Sequence, residues 1–223
     1  MGSEKNILDE FSKVIHKSIR FNSPIPPSTN TYLKKCVMYI LKNGKKIPTV
    51  HVYLSDEAKA YKNFMKNTIN RAKKEYNWEG RVGDFTYMNC KIKAYIPQRK
   101  FDCDNLLKCL FDAIKECDIV KDDCMIIPVF EEVIIDKNNP RLEILMETSD
   151  KCGVFRSPCE YSDFLKRNCN ECSRFSEKRV CSILRDSLEN RFREEIELKA
   201  FFKNDNNRYS ICKSKKEKKC QKT

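Results

Sequence analysis

Apolar positions along the chain switch between helical and strand spacing, and the switches mark out its elements. Ile7, Leu8, Phe11, Val14, Ile15 and Ile19 recur at helical spacing over residues 4–20, with charged residues between them. They predict a short amphipathic helix in an N-terminal extension, residues 1–22. Ser23-Pro24-Ile25-Pro26-Pro27-Ser28 breaks that pattern and marks the start of a main domain. Val37 to Leu41 and Thr49 to Leu54 read as strands flanking Asn43-Gly44, a hairpin turn signal. Ser55 to about Tyr76 reads as a long helix with Ser55 or Asp56 as N-cap. Its apolar stripe is Ala58, Tyr61, Phe64, Met65 and Ile69, and its other face is rich in lysine.

The middle of the chain continues the alternation. From Phe85 to Ile96, Met88, Cys90, Ile92, Ala94 and Ile96 fall on one side of a strand and Asn89, Lys91, Lys93 and Tyr95 on the other. Pro97 ends it. Asp104 to Cys117 is a helix that buries Leu106, Leu107, Leu110, Phe111 and Ile114. Val129 to Ile135 and Leu142 to Glu147 are strands joined by the turn-like Asp136-Lys137-Asn138-Asn139-Pro140. Strands and helices that alternate and close on a hairpin predict an α+β domain with a mixed β-sheet packed with helices.

Composition changes after Thr148. Residues 152–181 hold Cys152, Cys159, Cys169, Cys172 and Cys181, and residues 176–202 carry a helix-like stripe of Val180, Leu184, Leu188, Phe192 and Ile196. Lys213 to Lys222 is a lysine-rich tail. Residues 149–223 therefore read as a Cys-rich helical C-terminal extension of basic character. The chain has 13 cysteines, an odd count, and no signal peptide or long apolar run. A disulfide framework does not fit such a chain; reduced thiols or a metal site do. An intracellular protein that neither is secreted nor spans a membrane is expected.

Formal charge is +12 over 223 residues. That balance points to a polyanionic partner, with nucleic acid first. Against this basic background stands Asp102-Cys103-Asp104-Asn105-Leu106-Leu107-Lys108, answered downstream by Asp122-Asp123. An N-cap explains one carboxylate at a helix start, and an i,i+4 salt bridge explains Lys108. Neither explains Asp102 and Asp104 together with a second acidic pair. Carboxylates gathered in one place repel one another unless a cation sits between them, and Mg²⁺ is the hard, oxygen-seeking candidate. Three convergent carboxylates with a nearby ammonium suit phosphodiester cleavage.

These residues resemble the RusA family of Holliday-junction endonucleases. Asp102 to Lys108, Phe111-Asp112-Ala113-Ile114 and Asp122-Asp123 follow that family's pattern in order. So do Pro26-Pro27-Ser28-Thr29-Asn30-Thr31-Tyr32, Ser55 to Tyr61 and Arg141-Leu142-Glu143. The resemblance covers about residues 23–148. It implies a homodimer that binds four-way branched DNA and makes paired symmetric nicks in recombination and repair, with Mg²⁺ as cofactor and Mn²⁺ as a substitute. It implies Asp102, Asp104 and Asp123 as catalytic metal ligands and Lys108 as the essential lysine. Asp122 is a neighbour of undecided role and Asp112 structural. Arg99 and Lys100 match a basic run that holds DNA phosphates. Asn105 is expected with them at the DNA, where it either fixes the loop by hydrogen bonds or is a plain first-turn residue. Cys103 reads as a small buried hydrophobe. The setting it implies is the cytoplasm of a bacterial host or a virus-infected cell. An inactive module that binds branched DNA or a protein partner is the alternative.

The resemblance is silent on the cysteine-rich region. Cys152, Cys159, Cys169 and Cys172 form a C-x₆-C…C-x₂-C pattern of candidate zinc ligands, with Cys181 able to replace one of them. Only Cys169 to Cys172 has the spacing of a zinc knuckle. An iron–sulfur cluster and unligated thiols are the other readings.

Overall fold

The computed structural model describes residues 17–83, 85–100, 102–175, 181–189, 201–206 and 209–216. Two compact units divide the chain: Lys17–Val82 with Asn89–Glu147 forms one, and Gly83–Met88 with the chain from Thr148 onward forms part of the other. No described helix is long and apolar enough to cross a membrane.

The first unit is built on a four-stranded sheet. Its strands are β1 (Ser18–Pro24), β4 (Met88–Ile96), β5 (Ile126–Ile135) and β6 (Arg141–Thr148), in the order β1-β6-β4-β5. β1 runs antiparallel to β6, from Ser18 opposite Glu147 to Pro24 opposite Arg141. In β4 the expected alternation holds: Met88, Cys90, Ile92, Ala94 and Ile96 are buried while Lys93 is exposed.

One expectation fails at β1. Helical spacing through residue 20 gives way to a strand at Ser18, ahead of the Ser23-Pro24 break. Ile19, Phe21 and Ser23 are buried and their neighbours exposed, a period of two that suits pairing with β6. The other members of the predicted amphipathic helix, Ile7 to Ile15, lie outside the described residues.

Three helices provide the rest of this core. α1 (Thr29–Tyr32) is a single turn, and α2 (Asp56–Glu75) is capped by Ser55, whose hydroxyl accepts from Ala58 N–H at 3.1 Å. α2 buries Ala58, Tyr61, Met65, Ile69 and Ala72, but Phe64 is 52% exposed, contrary to the sequence reading. The stripe has room for one residue per turn beside the sheet, and Phe64 falls just outside it. Tyr61 and Ser23 share a hydrogen bond of 2.7 Å that joins α2 to β1. α3 (Leu107–Glu116) buries Cys109, Leu110, Ala113 and Ile114. Leu107 and Phe111, read as core from the sequence, are only half-buried.

A separate hairpin joins β2 (Leu33–Lys42) to β3 (Lys45–Leu54). Asn43 and Gly44 take φ of 53° and 74° at its tip, the left-handed pair that a two-residue turn needs. Its apolar residues face solvent, with Val37 61%, Tyr39 68% and Leu41 73% exposed.

The second unit packs α4 (Pro158–Asn168), α5 (Ser182–Leu188), β7 (Phe201–Lys203) and β8 (Tyr209–Cys212) around a largely aromatic core. Phe155 lies 5.3 Å from Tyr161 and 5.2 Å from Phe164, ring centre to ring centre, and Phe201 lies 4.8 Å from Phe164. Buried Glu160 accepts from Arg156 N–H and Tyr209 N–H, and buried Asn168 receives Cys212 N–H on its oxygen while its amide donates to Ser210 O. These bonds tie α4 to β8. The helical stripe predicted for 176–202 is realised as α5 and is followed by strand at Phe201–Lys203; Val180, Phe192 and Ile196 lie outside the described residues. So does most of the lysine-rich tail, from residue 217.

Candidate active site

The loop after β4 ends in a single 3₁₀ turn, Asp104–Leu106, which runs directly into α3. Leu106 is buried and anchors that turn, which leaves Asp102 and Asp104 exposed at its mouth. No side chain caps the turn, so Asp104 is not spent as an N-cap. Asp102 Oδ2 accepts instead from Asn105 Nδ2 at 2.8 Å, a hydrogen bond that fixes the loop. A hydrogen bond to Asp104 raises the Asp102 carboxyl above its ordinary value, with the charge of Asp104 adding to the effect. Carboxylates set side by side repel one another, and a cation between them relieves that repulsion.

After α3 the chain turns back through a second 3₁₀ turn, Asp123–Met125, held by buried Met125. This return brings Asp123 to α3. Lys108 Nζ lies 2.9 Å from Asp112 Oδ1 and 3.0 Å from Asp123 Oδ2. Hydrogen bonds to those two carboxylates raise the Lys108 ammonium above its ordinary value, so it is held charged. Its i,i+4 partner is thus Asp112, and the alternative pairing with Asp104 is not formed. Asp122 contacts Lys115, 3.3 Å away, and its carboxyl is lowered to about 2, first by a hydrogen bond with Asp123 and then by Lys115.

The sequence reading missed two supports. Thr29 donates to Asn105 O at 3.0 Å, and the Tyr32 hydroxyl donates to Asp112 Oδ2. Both belong to the Pro-Pro-Ser-Thr-Asn-Thr-Tyr stretch, whose motif character was the available signal. Burial, followed by Asp112, raises the Tyr32 phenol, so it remains a donor. Asp112 thus lies between the Lys108 ammonium and the Tyr32 hydroxyl. Arg99 and Lys100 lie exposed in the turn just before the acidic loop. Cys103 is half-buried rather than buried.

Among the described residues no group of three or more His, Cys, Asp or Glu side chains is already drawn up around one metal position. The donor set nevertheless fits a hard cation. It offers the exposed carboxylates of Asp102 and Asp104 on one short loop, and an ammonium that pairs with the carboxylate of Asp123.

The C-terminal cysteines divide differently from the predicted pattern. Cys159 is exposed on α4, and Cys152 is buried, its thiol pushed up to about 12 by burial and then by Glu160. Burial, and then the neighbouring Cys181, Cys212 and Cys172, push the Cys169 thiol up to about 12.

A mixed helix-and-sheet domain that gathers carboxylates and a lysine at the start of one helix has the construction of a nuclease. The family model for endodeoxyribonuclease RusA matches residues 24–147, more than half of the chain. The chain belongs to the RusA family, and it is a nuclease of the endodeoxyribonuclease kind. No curated protein matches it.

Proposed function

We propose that the chain is a divalent-metal-dependent, structure-selective endonuclease that resolves four-way DNA junctions by paired symmetric nicks. The observation that carries this reading is Lys108, held between Asp112 and Asp123 on the helix that begins at the Asp102–Asp104 pair. Asp102, Asp104 and Asp123 would hold Mg²⁺, or Mn²⁺ in its place. Such a bound ion supplies an activated water and charge neutralisation at the phosphate.

The chain's own residues do the rest. Asn105 holds Asp102 by its amide and is itself held by Thr29. Asp112, braced by Tyr32, aims the Lys108 ammonium. That ammonium offers a point charge to the scissile phosphate or to the departing oxygen, where negative charge grows during cleavage. Arg99 and Lys100 contact backbone phosphates beside the acidic loop, and the lysines of α2 extend that basic surface. A junction is recognised through shape and backbone, which suits such contacts.

A second copy of the chain accounts for the hairpin. Val37, Tyr39, Leu41, Val50 and Val52 share one face of the hairpin and are all exposed, which is the kind of apolar surface that a partner covers. Two protomers place one site on each of two strands, which paired nicking requires.

The test is a synthetic four-way junction incubated with wild type and with Asp104→Asn, in Mg²⁺ and in chelator. Wild type in Mg²⁺ should give symmetric nicks with ligatable 5′-phosphate and 3′-hydroxyl ends, and the other three reactions none. Nicking by Asp104→Asn at the wild-type rate would refute the site. Binding without nicking by wild type in either metal would make the protein an inactive branched-DNA binder.

A further inference from the structure

Cys181 and Cys212 pack against the core that holds Cys169, and Cys172 lies one turn from Cys169; these are not the four that the sequence pattern singled out. Cys169 ends α4, and Cys172 N–H donates to Cys169 O at 3.0 Å, closing the Cys169-Asn170-Glu171-Cys172 turn. Cys212 ends β8 and starts a similar turn, in which Lys215 N–H donates to Cys212 O at 3.2 Å. The two turns are bonded to each other through Ser173 N–H and Lys216 O at 2.8 Å. Cys212 N–H is fixed by Asn168 Oδ1, one residue before Cys169. The third segment brings Cys181, whose Sγ accepts from Leu184 N–H at 3.4 Å at the start of α5.

We propose that Cys169, Cys172, Cys181 and Cys212 hold one tetrahedral Zn²⁺ that joins α4, α5 and β8. Three features support this set. Cys169 to Cys172 has the C-x₂-C spacing with which two thiolates grip one zinc. The Cys181 sulfur receives a backbone N–H, and the Cys212 sulfur receives that of Ser214, as ligand thiolates do. Cys181 and Cys212 pack against the core that holds Cys169, where thiolates brought together would repel one another unless a dication sat between them. Among the described residues the four sulfurs are not already drawn around one point, so the site closes on the ion as the thiols lose their protons. Cys152 begins a different turn, which Phe155 N–H closes by donating to Cys152 O at 3.0 Å. A unit held by one small aromatic core gains most from such a tie, because zinc binding free energy adds to folding free energy.

The experiment uses the full wild-type chain, purified reduced, stripped of metal and reloaded with Zn²⁺ or Co²⁺. About one equivalent of zinc should bind, and cobalt should give the intense visible bands of a tetrahedral four-thiolate site. Alkylation mapped by mass spectrometry should find Cys169, Cys172, Cys181 and Cys212 protected by zinc, with Cys159 and Cys124 modified equally with and without it. Cys181→Ser and Cys212→Ser should each weaken binding by about tenfold or more, while Cys159→Ser leaves it unchanged. No uptake by wild type, a disulfide among the four, or protection of Cys152 and Cys159 in place of Cys181 and Cys212 would overturn the proposal. None of these readouts is DNA cleavage, so the result stands apart from the nuclease assignment.

Discussion

Lys108 Nζ and Asp123 Oδ2 lie 3.0 Å apart although the residues are 15 positions distant in sequence. The contact exists because α3 and the 3₁₀ turn at Asp123–Met125 are both pinned to the core, by Leu110 and Ile114 on one side and Met125 on the other. It places a fixed positive charge beside the acidic loop, in a position that the linear motif does not specify.

Lys108→Met is expected to slow junction nicking by roughly 10²- to 10³-fold, the usual loss when one charge-stabilising donor is removed. Gel-shift affinity in chelator should change little. Lys108→Arg should not restore the rate, because a planar guanidinium cannot sit between Asp112 and Asp123 as a compact ammonium does. Unaltered nicking by Lys108→Met would remove the lysine from the reaction.

Tyr32→Phe deletes the hydroxyl that donates to Asp112. The ring is buried, so the loss should cost about 1–2 kcal/mol in urea unfolding. Nicking should fall by less than in Lys108→Met, since Lys108 keeps both carboxylates but loses the brace behind one. An unfolding midpoint equal to wild type would show that this bond adds nothing.

Asp122 gives a pH signature. Its folded carboxyl lies at about 2, below the ordinary 3.8, first through the hydrogen bond with Asp123. A depressed carboxyl stabilises the fold above its unfolded value, and the gain is lost as pH falls through that value towards the folded one. The stability difference between wild type and Asp122→Asn should therefore be constant from neutral pH to about 5 and should shrink between pH 3.8 and about 2. The side chain is about one-third exposed, so the difference should stay below about 1 kcal/mol. Fluorescence of Trp78, the chain's single tryptophan, reports it. A difference that grew on acidification would contradict the assignment.

Gly153→Ala should unfold the C-terminal unit selectively. Gly153 has φ +58°, and an added Cβ would lie 2.1 Å from Ser187 O and 2.6 Å from Leu188 Cα. Both the backbone strain and the clash with main chain act together, for a cost of about 2–4 kcal/mol. Thermal melting followed by near-ultraviolet circular dichroism of the aromatic core should show it. A melting curve like wild type would mean that the α5 backbone yields at no cost.

Much of the fold is legible from local pattern. The alternation in β4, the Asn43-Gly44 turn and the Ser55 start of α2 each depend on residues close in sequence, and each is found where the spacing puts it. β1 was misread because Ile19 satisfies helical spacing as well as a period of two, and only its partner β6 selects the strand. Phe64 was misread because a helical stripe says which side is apolar, not how wide the covering surface is.

The sequence by itself determined the acidic loop, its lysine and the family to which they belong, because these are short motifs whose chemistry follows from residue type and order. Tertiary structure alone decided which groups those residues meet. It set Lys108 against Asp112 and Asp123, put Tyr32 behind Asp112, and packed Cys181 and Cys212 against the core that holds Cys169. Such pairings depend on where separate elements dock to bury apolar surface, and that burial is shared across the whole chain rather than written at any one position.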